Sequence, residues 1–309
     1  MKSALSTLLL FFLFITGKGQ SSVSDFIKLA DENAAQKKYA DALKNYSKAL
    51  SSDSSDATTY FKRGLTHFYL KKDREALYDY DRSLQLASGN YEIYYRRGLA
   101  NYYLRNYTTA LEDFNKSISL KNDHANTYSF RGAVFHAMGK EQECVNDETM
   151  ALFYDPQNTF AYYYRGVARA KTKEYWGAIA DLTSAITLKE TADYYYQRAL
   201  VRYDLQDYKG SIKDAGQAIQ MNADFWSAYL LSGMCKIAEG EDAAAIKDLN
   251  KSLELKPLQG KAFFYRGLAK KHKADIAGAC GDLNMAKDLG YSKSLEELEK
   301  INCIGNASN

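Results

Sequence analysis

Basic and acidic residues recur along this chain at intervals that would set them face to face. Arginine stands at Arg63, Arg97, Arg131 and Arg165, evenly spaced, and again at Arg198 and Arg266. Aspartate follows each one at a second fixed interval, at Asp79, Asp113, Asp147, Asp181, Asp214 and Asp282. A guanidinium opposite a carboxylate makes a bidentate, charge-assisted pair. Such a row could be a ladder for an acidic ligand or a set of structural ion pairs. The second is the expectation, because the aspartates already neutralise the arginines and a device repeated in every unit is what packing needs. The first unit carries Leu29 and Asn45 in the two places, and this joint loss points to pairing within a unit. Groups suited to catalysis are sparse. His67, His124, His136 and His272 are scattered, no HExxH, GxSxG or GxxxxGKS motif occurs, and no cysteine and histidine cluster has zinc-ligand spacing. The expectation is a chain without enzymatic activity, metal or cofactor.

The spacing of the arginines itself indicates what positions these groups. A period of about 34 residues is that of stacked helical hairpins. When the residue after each arginine is numbered position 8, units start near residues 23, 57, 91, 125, 159, 192, 226 and 260. Position 4 is then always aromatic, from Phe26 and Tyr60 to Phe263, and position 20 is always small, from Ala42 to Ala279. Both prolines, Pro156 and Pro257, fall at position 32, in the linker where a second helix can end. A small residue at position 8 facing a small one at position 20 would let two antiparallel helices approach closely, with the position 4 ring filling the wider space nearby. Each hairpin has an apolar face that only the next can cover, so the units must stack.

With period, columns and linker prolines together, the chain resembles the tetratricopeptide repeat family over about residues 23 to 290. The resemblance implies an all-α, right-handed superhelical solenoid of about eight helix-turn-helix hairpins with a C-terminal capping helix. The chain departs from the family pattern at position 7, where arginine replaces the usual leucine. It departs again at position 24, where Glu148 and Ala215 replace a large apolar residue. Hairpins 4 and 6 are therefore expected to pack less well. In such superhelices positions 2, 5, 9 and 12 of the first helices line the concave side. Here position 5 offers Phe61, Tyr95, Tyr163, Tyr196 and Phe264, position 9 offers Leu65, Leu99, Val167 and Leu200, and position 12 offers Phe68, Tyr102 and Tyr203. These lie on one helical stripe. It would be either an exposed aromatic groove for a partner or a self-packed inner wall. Ile27 and Asp31 stand where a lysine and an asparagine would be needed to clamp a terminal carboxylate, which disfavours a chaperone-tail receptor.

The ends carry separate information. Lys2, the apolar run from Leu8 to Ile15 and the small residues Gly17 and Gly19 read as a signal peptide over residues 1 to 19. The run is far short of the about 20 residues that span a bilayer. The formal charge is +3, and loss of Lys2 and Lys18 with the signal leaves +1. A near-neutral chain gives no electrostatic case for nucleic acid. Export would permit disulfides. Cys144 and Cys235 lie three repeats apart. Cys280 and Cys303 lie either side of Gly290, at ends that two antiparallel helices would bring together. Residues 291 to 303 are expected to form the cap, with Ser292 as N-cap and Leu295, Leu298 and Ile301 on one face; residues 304 to 309 form a tail. The expected function is a scaffold that binds a protein or peptide ligand in its aromatic groove. It would be exported, not membrane-spanning after signal cleavage, and in the periplasm or envelope of a Gram-negative bacterium. The alternative is an assembly subunit of an envelope, secretion or motility complex.

Overall fold

The computed structural model describes residues 22–303. The signal peptide and the tail lie outside them. Seventeen α-helices and no strand occur among the described residues. The first helices of the hairpins are α1 (Val23–Ala35), α3 (Ala57–Tyr69), α5 (Tyr91–Tyr103), α7 (Ala125–Ala137), α9 (Thr159–Lys171), α11 (Ala192–Asp204), α13 (Trp226–Ala238) and α15 (Gly260–His272). Their partners are α2 (Tyr39–Ser52), α4 (Asp73–Leu86), α6 (Tyr107–Leu120), α8 (Glu141–Tyr154), α10 (Tyr175–Leu188), α12 (Tyr208–Met221), α14 (Asp242–Leu255) and α16 (Ile276–Asp288), and α17 (Lys293–Lys300) follows. This is an all-α repeat solenoid. It divides into two compact units, α1–α6 and α7–α17.

Local chemistry sets the helix ends. Asp56, Asn90, Asn158 and Thr191 cap first helices by accepting from Thr58, Glu92, Ala161 and Tyr194 backbone N–H groups. Inside every hairpin the turn places position 15 in the left-handed region. Gly139 and Gly240 meet this requirement without a Cβ, whereas Lys37, Lys71, Arg105, Lys173, Gln206 and Ala274 adopt it with φ between 59° and 66°.

In both units core clusters join the two helices of a hairpin and the first helix of the next. In the N-terminal unit Ala76, Tyr80 and Leu84 of α4 pack with Ile93 and Ala100 of α5. In the C-terminal unit Leu249 and Leu253 of α14 pack with Ala262 of α15. Within the hairpins position 8, where glycine follows the arginine column in hairpins 2 to 5 and 8 and also stands in hairpin 7, meets a different neighbour from the one expected. A Cβ at Gly64, Gly98 or Gly233 would lie 2.7 Å from the position 24 side chain, Tyr80, Phe114 or Leu249. Position 20 presents its backbone carbonyl, at 3.3 Å from such a Cβ in hairpins 5, 7 and 8. The glycine therefore makes room chiefly for the bulk of position 24. Hairpin 6 makes the reciprocal choice, with Ala199 at position 8 and Ala215 at position 24, both 0 % exposed and in one cluster. Loss of the large residue is thus offset in part by the added methyl group.

Arg131 of α7 donates through Nε and Nη2 to Asp147 of α8 at 2.7 and 2.8 Å. The next turn of α7 holds Phe135 where other hairpins have a second donor, so Asp147 depends on one cation. In hairpin 5, Arg165 is backed by Arg169, 2.7 Å from the same Asp181. Arg131→Leu is expected to destabilise its hairpin by about 3–5 kcal/mol, the range for stripping one partner from a buried pair. Arg165→Leu should cost clearly less. Hydrogen exchange of α7–α10 under rising urea measures both, and equal losses would contradict this account.

Candidate functional site

Six hairpins carry the same polar device between their two helices. Arg63, Arg97, Arg131, Arg165, Arg198 and Arg266 each bind Asp79, Asp113, Asp147, Asp181, Asp214 and Asp282 through Nε and Nη2. All six aspartates are buried. Burial pushes the carboxyls of Asp113 and Asp147 up, against the pull of Arg97 and Arg131. The guanidinium also lies over the position 4 ring one turn earlier, 5.5 Å from Tyr60, 5.6 Å from Tyr94 and 5.2 Å from Phe263. That ring is the wall of the arginine site rather than simple filler. A further nitrogen reaches back one hairpin. Arg97 Nη1 donates to Asp81 at 2.7 Å, Arg198 Nη1 to Thr183 at 2.9 Å and Arg266 Nη1 to Asn250 at 2.7 Å.

Two features of this device are not legible in the sequence. The acceptors at position 25, Ser47, Asp81, Thr149, Thr183 and Asn250, share polarity but no residue type, so no column stands out. At position 11 a second donor joins several aspartates, Arg169 to Asp181 at 2.7 Å and Lys270 to Asp282 at 2.8 Å. Hairpin 7 lacks the arginine. There Ser232 and Lys236 together donate to Asp248, at 2.6 and 2.7 Å. The pairs are fully committed and leave little for an acidic ligand.

The aromatic stripe is more deeply packed than an open groove requires. Tyr95, Leu99 and Phe264 are buried; Phe61, Leu65, Phe68, Tyr102, Tyr163, Val167, Tyr196, Leu200 and Tyr203 are half-buried. Phe61 and Tyr95 pack on Tyr80 and Phe114 of the same hairpins. Tyr163 packs on Tyr194 of the next hairpin and Tyr196 on Phe225, the N-cap residue just before α13, with ring centroids 5.0 and 4.9 Å apart. The rings most open to solvent here lie one residue further along, at position 13. Tyr69 is 53 % and Tyr103 51 % exposed. They lie one helical turn beyond position 9, which was the available signal.

The same register holds a cavity in each unit. In the N-terminal unit, an open cavity of about 270 Å³ is lined by Ala34, Tyr39, Tyr46, Lys62, Leu65 and Tyr69 among others. Tyr39 and Tyr69 stack there, with centroids 5.6 Å apart. Beside them Asp31 accepts from the Tyr46 hydroxyl at 2.6 Å and from Lys62 at 2.7 Å. In the C-terminal unit, an open cavity of about 240 Å³ is lined by Val167, Ala170, Lys171, Gln197, Leu200, Val201 and Asp204. Both cavities use positions 12 and 13 of one hairpin with positions 6, 9, 10 and 13 of the next.

Comparison with protein families places repeat models on this framework. One described as "TPR repeat" matches residues 30–71, and two described as "Tetratricopeptide repeat" match residues 91–124 and 196–269. The chain is a tetratricopeptide-repeat protein. No curated protein sequence matches it. Among solved structures it is similar to the C-terminal part of a TPR repeat-containing protein from Cytophaga hutchinsonii, at 17 % identity and TM-score 0.61, over 77 % of this chain and 99 % of that one. A tetratricopeptide repeat protein from Parabacteroides merdae is similar at 18 % identity and TM-score 0.58, over 79 % and 98 %. YrrB, a TPR protein described as having an unusual peptide-binding site, is similar at 22 % identity and TM-score 0.54, over 60 % and 97 %. At these identities the likeness is one of fold.

Like other solenoids, this tetratricopeptide-repeat protein must cover its last apolar face. Here α17 lies on α16, with Leu298 2 % exposed against Phe264, Leu283 and Ala286. The cap differs in detail from the sequence reading. Ser292 makes no side-chain capping bond, Leu295 is 51 % exposed, and Ser294 takes the buried place, its hydroxyl donating to the Tyr291 carbonyl at 2.5 Å. A polar side chain that satisfies itself on the preceding turn can be buried without a partner across the interface, which periodicity of apolar residues does not reveal. Lys271 reaches Glu297 at 2.9 Å. Cys280 and Cys303 are joined by a disulfide, with Cα atoms 5.6 Å apart, while Cys144 and Cys235 are free and buried. No helix among the described residues is long and apolar enough to cross a membrane.

The bonded cysteines are 23 residues apart, a loop for which closure is worth about 3 kcal/mol. Cys303→Ser should lower the stability of hairpin 8 by up to that amount and raise hydrogen exchange in α16 and α17. Exchange in α1–α4 should stay unchanged. Unaltered exchange in α17 would show that the side-chain packing alone holds the cap.

Proposed function

We propose that this protein is a non-catalytic scaffold that binds a segment of another protein along its first helices. The observation that carries this reading is the recurrence of a side-chain-sized cavity at the same repeat register in both units. Each cavity combines an apolar floor with a lysine at its edge, the arrangement that seats an anchoring side chain while leaving polar groups to orient it. The exposed ring of Tyr69 forms part of the N-terminal cavity's rim. YrrB, a protein of the same fold, is described as having a peptide-binding site. The buried members of the stripe, Tyr95, Leu99 and Phe264, support the surface from beneath. The reading includes export to the envelope of a Gram-negative bacterium, supported by the N-terminal charge and apolar pattern.

A second reading, an assembly subunit of a larger envelope complex, draws on Phe153 and Trp176. They are 74 % and 77 % exposed on second helices, away from the stripe. Photo-cross-linking residues placed at Lys37 and Lys171, beside the cavities, and at Trp176 would separate the two in intact cells. The scaffold reading expects one protein captured at Lys37 or Lys171 and lost when Leu65→Arg or Leu200→Arg fills the cavity. Capture at Trp176 alone would favour the assembly subunit.

A further inference from the structure

Hairpin 4 departs from its neighbours at two touching positions at once. Position 5 packs across the hairpin on position 24, as Phe61 does on Tyr80 with centroids 6.0 Å apart and Tyr95 does on Phe114 at 6.3 Å. In hairpin 4 these places hold Ser129 and Glu148, 1 % and 0 % exposed. The Ser129 hydroxyl donates to Glu148 Oε2 at 2.5 Å, and Glu148 Oε1 has no hydrogen-bond partner. A Cβ at Gly132 would lie 2.6 Å from that oxygen, so no space remains beside it for water on that side. An apolar contact has been exchanged for one whose stability depends on the protonation of a single group.

The charged groups around Glu148 are already engaged. Asp147 on its own helix is bound by Arg131 of α7, and Arg165 of α9 is bound to Asp181. Burial holds the Glu148 carboxyl well above the ordinary carboxylate range. The Ser129 hydrogen bond and the more distant Arg165 oppose the rise, and Asp147 adds to it. Neutral, the acid fits the hairpin; ionised, it has one hydroxyl to replace its hydration.

We propose that hairpin 4 is a proton-controlled joint, closed while Glu148 is protonated and opened between α7 and α8 when it ionises. An acid whose pKa is raised by folding favours the closed form fully below its open-chain value of 4.5. That preference declines as the pH rises towards the folded value. Within this window opening increases about tenfold per pH unit. The hairpin carries its own reporter. Cys144 lies one turn before Glu148 on α8 and is a free thiol at 0 % exposure; Cys235 in hairpin 7 is a second free thiol at 0 %.

The test uses the full chain with its disulfide intact. Iodoacetamide labelling from pH 5 to pH 9 is resolved by peptide mass spectrometry, and the ratio of Cys144 to Cys235 modification removes the common effect of thiol ionisation. The expected result is a ratio that climbs about tenfold per pH unit over part of the range in the wild type and stays flat in Glu148→Gln. A flat wild-type ratio, or an equal climb in Glu148→Gln, overturns the proposal. Hydrogen exchange of the wild type, corrected for its intrinsic pH dependence, gives a reading that needs no variant. Protection in α7 and α8 should fall with pH relative to α13 and α14, and a parallel change in all four helices also overturns it.

Discussion

A carboxylate buried between two helices has to be met by a cation, and this constraint organises most of the structure. Asp79, Asp113, Asp147, Asp181, Asp214 and Asp282 sit at one height in their hairpins, each buried. Bidentate arginines neutralise them from the facing helix, and the position 4 rings hold the guanidiniums from the other side. A pair of this kind gives little net stability, because both ions lose hydration. Its effect is to fix register. A hairpin that slipped by one residue would leave a charge unpaired in a dry site, whereas slippage of a purely apolar seam would cost far less. The third nitrogen carries the same logic to the preceding hairpin where Ser47, Asp81, Thr149, Thr183 or Asn250 accepts.

The hairpin architecture was legible in the sequence because repetition averages away local ambiguity. Any single Arg-Gly pair means little, but its return at one fixed interval requires stacked units of one length. The less legible parts are those where several residue types serve one purpose. The accepting column at position 25 mixes serine, threonine, aspartate and asparagine. The left-handed turn residue at position 15 is lysine in three hairpins and glycine in only two. The neighbour of the glycine column is likewise not the one the columns suggest. Position 20 is uniformly small and so attracts attention, yet the glycine is crowded by position 24, whose residues range from tyrosine to leucine. Uniformity reveals a constraint on one residue, while size compensation between two residues, as in Ala199 with Ala215, stays hidden until the pair is seen in contact.

The aromatic stripe shows the same limit at the surface. Helical spacing assigned positions 5, 9 and 12 to one face. It could not say how far each ring leans into the neighbouring hairpin, because that depends on the facing side chains. Tyr163 turns onto a ring of the next hairpin, Tyr196 onto Phe225 of the linker that leads to it, and Tyr95 is covered. The exposed rings at Tyr69 and Tyr103, with the cavities beside position 9, leave a narrower surface of mixed character. The cavities in it are shaped by side-chain size, with Leu65, Val167 and Leu200 lining them.

Nearest-neighbour stacking also explains how the chain can hold a hairpin as unusual as the fourth. In a solenoid each unit is stabilised by its own two helices and by the faces on either side, so a deficit in one unit stays largely local. In a single globular core, the strain of a buried acid with an unpartnered oxygen would be spread over every contact around it. Here the cost falls on α7 and α8, which keep the Arg131–Asp147 pair as a bidentate fastening. That pair fixes the register of the hairpin while Ser129 and Glu148 loosen its apolar seam. The two features together give a unit that can part without losing its alignment, provided the ion pair outlasts the ionisation of the glutamic acid next to it in sequence.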